Sequence, residues 1–270
     1  MQLGSEEHKE LFCRFFIKTH KPFRPEELPW PDLSQSTVDK LASFSIWDYA
    51  VHTERQVSNK LNAYANEEQD ASLKEALGLQ AYEEGRHANM LKYFLKRYNI
   101  PLNEIPDKPL PSNLERCFMN TGAGECIDSF FAFGFLEISK SMGDYPIELI
   151  EVMEPIVQEE ARHILFFQNW LIYQRHKRPY MLQGIHFLST MWAFVSAGWS
   201  RLMELKNLGG SAFTMQARKQ EGSSMSLKKF IRLCQEQNYR RFATYDSRLV
   251  RPKLIPRVMN GVSFFLLRES

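Results

Sequence analysis

The residues best suited to chemistry in this chain form a repeated pentapeptide, Glu83-Glu-Gly-Arg-His87 and Glu159-Glu-Ala-Arg-His163, identical at four of its five positions and 76 residues apart. On an α-helix, positions i and i+3 share a face, so Glu84 with His87 and Glu160 with His163 each present a carboxylate and an imidazole to a common centre. A single Glu-x-x-His is ordinarily a surface ion pair. Two copies on apolar stripes carry more weight, because burying four such groups unpaired costs several kcal/mol each. Divalent cations would neutralise them. Mixed Glu and His donors suit iron, manganese or zinc.

Helical periodicity positions both motifs. Prolines 22, 25, 29 and 31 mark an extended N-terminal arm over residues 1–37, and Ser36-Thr-Val-Asp39 offers a helix start with a capping hydroxyl. From there to about Asn66 no Pro or Gly occurs, and apolar residues at 47, 50, 57, 61 and 64 follow the 3.6-residue period, with Glu54 on the same stripe. A polar break from Asn66 to Ser72 precedes a helix to about Tyr98, with Leu77, Glu84, His87, Leu91 and Phe94 on one face. So short a turn predicts antiparallel packing. Residues 99–111, with prolines at 101, 106, 109 and 111, cannot be helical throughout and are long enough to cross the end of a bundle. A helix over about 113–141 and another ending near 175 follow, joined at Met142-Gly-Asp-Tyr-Pro146. Beyond Pro179 two more helices are expected, about 180–206 and 226–246, while the tail from Arg251 has no assigned structure. The fold class is therefore all-α: a four-helix bundle over 38–175 with a long crossover, and additional helices over 176–270 packed on it as one domain.

A dinuclear site also needs one carboxylate from each of the other two helices. Residues of an antiparallel hairpin lie at one level when they are equally far from the turn. Glu54 and Glu84 have their midpoint at 69, inside the polar break, and Glu125 and Glu160 have theirs at 142.5, inside the Met142-Gly-Asp turn. The alternative to Glu125 is Glu137, which would sit about 16 Å off the level of Glu160 unless the third helix is irregular.

The pattern Glu then Glu-x-x-His, twice, over about residues 38–175 resembles the ferritin-like di-iron carboxylate superfamily, which includes ferritin, rubrerythrin and the ribonucleotide reductase small subunit. The resemblance carries the ligand set over to Glu54, Glu84, His87, Glu125, Glu160 and His163. It implies two iron ions, with manganese as a variant, and O2 as co-substrate. It further implies a non-haem di-iron oxidase or oxygenase acting on a small, hydrophobic organic molecule with electrons from a separate donor. An iron-storage protein with ferroxidase activity is the alternative.

Other residues bear on that reading. Ser129 and Ala132 lie one and two turns beyond Glu125, where small side chains leave room beside the metals or simply allow close helix packing. His186, in an apolar helix, reads as a hydrogen-bonded core histidine or as a seventh ligand. Glu83 and Glu159 point about 100° from their neighbours Glu84 and Glu160, which suggests solvated faces. Tyr64 and Tyr82 read as ordinary tyrosines, and Trp192, Phe194 and Trp199 as residues packing the fifth helix against the bundle. The net charge of +2, from 34 basic and 32 acidic residues, gives no electrostatic reason to bind nucleic acid or anionic membrane. Residues 181–199 approach membrane-spanning length but are interrupted by Gln183, His186 and Ser189, so a buried helix is expected rather than an integral membrane segment. Cys13, Cys117, Cys126 and Cys234 show no paired spacing, and the charged start lacks a secretory pattern, which predicts a reduced, cytoplasmic setting. A homodimer is compatible with all of this.

Overall fold

A computed structural model of the chain describes residues 1–143, 145–207 and 226–265. Among the described residues the fold is all-helical, with nine α-helices and no strand. They are α1 (Glu6–Lys18), α2 (Gln35–Ala42), α3 (Trp47–Glu67), α4 (Ala71–Arg97), α5 (Leu114–Met142), α6 (Ile147–Lys177), α7 (Tyr180–Asn207), α8 (Leu227–Ala243) and α9 (Leu254–Phe265).

The long helices start and stop where their caps dictate. Asp70 accepts from the Leu73 amide at 3.0 Å to open α4, and Asn113 accepts from the Arg116 amide at 2.8 Å to open α5. Gly143 closes α5 in the left-handed region (φ 69°), where a side chain would be strained. Two expectations from the sequence are revised at the N-terminal side. The first half of the arm is not extended, since α1 packs across α4 and α6 and buries Phe12 and Phe16. The continuous helix expected from Ser36 to Asn66 is split into α2 and α3. There the Ser43 hydroxyl donates to the Lys40 carbonyl at 2.6 Å and the Trp47 indole to the Leu41 carbonyl at 2.8 Å, so side chains take up backbone acceptors and end the first helix.

Contacts fix the chain directions. Ser58 of α3 bonds the Ala81 carbonyl of α4 and Glu54 approaches His87, so residue numbers fall along one helix as they rise along the other. Ser129 with Glu160 and Lys140 with Glu154 show the same for α5 and α6. Glu83 with Arg162 and Glu159 with His87 show it for α4 and α6. The order is thus up, down, down, up, and α4 and α5 run parallel. A parallel pair requires a connection running the length of the bundle, and residues 99–113 supply it by climbing along α3. Asn103 binds Asp48 through two bonds of 2.9 Å, and Asp107 accepts from Arg55 at 2.8 Å and Asn59 at 3.1 Å.

Apolar side chains collect into two main clusters. One is built around Phe16, Leu61, Leu77, Phe118, Phe166 and Trp170, the other around Trp30, Phe44, Met90, Phe94 and Ile150. The pentapeptides lie in the layer between them. α7 and α8 cover α5, and α8 comes so close at Gly134 that a Cβ there would meet the Cys234 backbone nitrogen at 3.2 Å. α9, in the tail left unassigned from the sequence, packs on α5 and α8. No helix among the described residues is long and apolar enough to cross a membrane. The expected burial of the fifth helix does not hold. α7 buries His186, Ala193 and Phe194, but Trp192 and Trp199, assigned to packing, are each 63% exposed. Its apolar residues surround the helix, and the bundle occupies one side only.

Candidate metal centre

The site is built from α3, α4, α5 and α6 at mid-length. His87 points Nδ1 at Glu54 Oε2 (3.4 Å), Glu160 Oε1 (3.2 Å) and Glu84 Oε2 (3.9 Å). His163 points Nδ1 at Glu84 Oε1 (3.0 Å) and Glu160 Oε1 (3.9 Å). Glu84 thus offers one oxygen to each imidazole, and a single oxygen of Glu160 lies near both. The two rings are 5.6 Å apart between centroids. One ligand atom each from Glu54, Glu84, His87 and Glu160 can be chosen so that all four lie within 4.8 Å of one another, a spacing that could hold a metal ion.

Several of these atoms lack hydrogen-bond partners. Glu54 Oε2, Glu84 Oε1, both oxygens of Glu125 and Nδ1 of both histidines are buried without one. Buried polar atoms normally find partners, so a cluster of orphans around one point fits a cation bound there. Four carboxylates and two neutral imidazoles carry a formal charge of −4, which two divalent ions would cancel.

Protonation reports the same crowding. Burial pushes the Glu54 carboxyl up to about 8, with Glu84 and Glu160 adding to the shift and the nearby His87 imidazole opposing it. Burial, with Glu84 and Glu160 adding, raises Glu125 well above the usual range. His87 and His163 move upward despite burial, His87 through Glu159, Glu160 and Glu54 and His163 through Glu84 and Glu83. Protons thus occupy part of the place a metal would take.

Glu83 and Glu159, expected on solvated faces, are instead 0% and 4% exposed. Their 100° offset aims them at the opposite pentapeptide, and α1 covers that side of the bundle. Glu83 accepts from His163 Nε2 at 2.8 Å and from Arg162 at 2.8 Å, with His20 Nδ1 at 2.5 Å. Glu159 pairs with His87 Nε2 at 2.9 Å and with Arg86. Arg162 also reaches the Phe16 carbonyl (2.5 Å) and Thr19 (3.0 Å) of the α1 end. Burial would lift the Glu83 carboxyl, but His163 and Arg162 outweigh it and hold it far below its ordinary value. Because Glu83 and Glu159 each accept at Nε2, that nitrogen keeps the proton in the neutral ring and Nδ1 turns its lone pair inward, as a metal-ligating histidine requires. Arg86, Arg162 and His20 were missed from the sequence. The signal for the two arginines was present, because the repeat preserves its first Glu and its Arg as strictly as the ligand pair.

The structure brings Glu54, Glu84, His87, Glu160 and His163 together and sets Glu125 within their electrostatic reach. The hairpin contacts centre the second turn near 144.5, which puts Glu125 level with His163, as Glu54 is level with His87. Glu137, about 18 Å further along α5 at 1.5 Å per residue, is half-buried and away from the cluster. Ser129 donates to Glu160 Oε2 at 3.3 Å. His186 lies in the field of Arg178 and Arg175, which, with burial as the larger cause, depress it to about 4, and it does not join the cluster. Tyr64 packs on Phe118 and Trp170, and Tyr82 is exposed. Gln80, one turn before Glu84, is fully buried with neither amide atom partnered and was also missed.

The chain matches no family model, no curated protein and no solved structure. Its chemistry is therefore read from this geometry. The described residues form a buried acidic and imidazole cluster able to hold metal, braced by two arginine–carboxylate pairs.

Proposed function

We propose that this chain is a non-haem di-iron oxidase or oxygenase of ferritin-like architecture, using O2 to oxidise a small hydrophobic organic substrate. The observation that carries the proposal is the pair of inward Nδ1 atoms sharing Glu84 and Glu160, inside a set of four carboxylates of which Glu84 is buried and Glu54, Glu125 and Glu160 are half-buried. In this reading Glu54, Glu84, His87, Glu125, Glu160 and His163 would hold two ions, with His87 and His163 as the imidazole donors and Glu84 and Glu160 within reach of both rings. Two ferrous ions held there would supply electrons to O2 and oxidising power to the substrate, with a separate donor restoring the electrons. The protein's own contribution is positional and electrostatic. Glu83 and Glu159 keep Nε2 protonated, Arg162 and Arg86 pair with those carboxylates and fix their positions, and the two apolar clusters exclude water from the layer between them. The chain directions, with parallel α4 and α5 joined by a full-length crossover, support the ferritin-like assignment.

The test is anaerobic loading with Fe(II) followed by O2, read by Mössbauer and visible absorption. A coupled diferric product formed by one or two chains acting together supports the enzyme. Iron mineralised inside a large cage would indicate storage. Absence of any dinuclear ferric species would overturn the proposal.

A further inference from the structure

The outer face of α7 carries large apolar residues with nothing among the described residues covering them. Met181, Ile185, Leu188, Trp192, Val195 and Trp199 are spaced 4-3-4-3-4 and each is 58–87% exposed. They form one straight line about 27 Å long at 1.5 Å per residue. We infer that this seam pairs with the same seam of a second copy, giving a two-fold homodimer held by α7.

Three observations select that occupant. The alternating spacing has the 3.5-residue period that keeps a stripe facing a partner helix along its whole length, where an isolated helix has no use for it. The stripe is bordered by Ser189 and Ser196 on one side and Gly184 on the other, small residues that leave holes for a partner's knobs. The exposed area of the six side chains is on the order of 800 Å² per copy, about what each partner contributes to a stable interface, with two Trp as anchors.

A lipid surface is the competing occupant. A helix lying in a membrane interface flanks its apolar face with Lys and Arg, and no charged residue occurs from Tyr180 to Ser200. The other competitor is the chain itself, but residues 208–225 and 266–270, outside the described ones, supply only Leu208, Phe213, Met215, Met225, Leu266 and Leu267 as large apolar side chains, divided between two segments and without the 4-3 spacing of the seam. A two-fold axis requires each surface to match itself. The uncharged seam does so, because it brings no like charges together.

Sedimentation equilibrium of the full chain tests this directly. The expected mass is twice the 31.7 kDa of one chain. Leu188→Arg with Val195→Arg, both exposed in the single chain, should halve it without changing helix content, and Trp192→Cys should form a cross-linked dimer under oxidation. A native chain that stays at the single-chain mass overturns the inference. So does a dimer that survives the double arginine variant, or association of the native chain with phosphatidylcholine–phosphatidylserine vesicles in place of a dimer.

Discussion

The two halves of the candidate metal centre come from the same five-residue repeat yet are built to different tightness. On the α3–α4 side, Glu54 approaches His87 to 3.4 Å, and its donor atom belongs to the compact group with Glu84, His87 and Glu160. On the α5–α6 side, Glu125 has two buried, unpartnered oxygens, while each histidine finds its nearest inward carboxylate in the other half, His87 in Glu160 at 3.2 Å and His163 in Glu84 at 3.0 Å. The difference lies in the fourth ligand, since the outer supports match: Glu159 and Arg86 behind His87, Glu83 and Arg162 behind His163. The duplicated motif thus gives one half whose candidate ligands already converge and one whose carboxylate, Glu125, stands outside the compact group.

The largest expected effect erases both halves at once. Glu84→Ala removes the carboxylate shared by both histidines, so metal content should fall from two ions per chain to nearly none by elemental analysis. Retention of a full complement would show that Glu84 does not bridge. The outer supports come next. Glu83→Gln should weaken binding on the His163 side, and Glu159→Gln on the His87 side, by about 10–100-fold. Each also leaves a buried arginine without its charge partner at a cost of about 3 kcal/mol, visible as a lower Tm. Equal loss at both sites in either variant would break the crossed pairing.

A smaller effect separates the halves. Glu125→Gln should lower the affinity of the second ion by roughly tenfold and leave the first unchanged, measured by competition with a chelator. Glu54→Gln should do the reverse. If Glu137→Gln, and not Glu125→Gln, weakens the second ion, the level argument fails.

The smallest is a pH trend. The raised carboxyls of Glu54 (about 8) and Glu125, and the raised His87 and His163, bind protons more tightly folded than unfolded. Their contribution to the metal-free fold is fully present below their ordinary values and is lost as pH rises through the shifted ones. Metal binding needs those groups deprotonated and gains over the same range. The gap in Tm between metal-loaded and metal-free protein should therefore widen from about pH 6 to about pH 8.5. A constant gap would mean that the metal does not compete with these protons.

Much of this was legible in the sequence. Period and turn placed four long helices, and the level rule set Glu54 beside Glu84 and Glu125 beside Glu160. Both pairings are off by about one turn, since Glu54 faces His87 and Ser129, one turn past Glu125, faces Glu160. The burial of Glu83 and Glu159 was not legible from a single helix, since whether a residue 100° off the stripe meets water depends on what packs there, and α1 was hidden in an arm marked by its prolines. The exposure of α7 was misread for the converse reason. An all-round apolar helix is buried only where it has neighbours on every side, and among the described residues α7 has them on one.

The central claim is that the two pentapeptides close on a pair of metal ions. Anaerobic titration of the metal-free chain with Fe(II), followed by Mössbauer spectroscopy, tests it most directly. The account predicts saturation at two ions per chain, the first bound more tightly than the second. Saturation at one ion, or binding that persists unchanged after Glu84→Ala and His163→Ala, would contradict it.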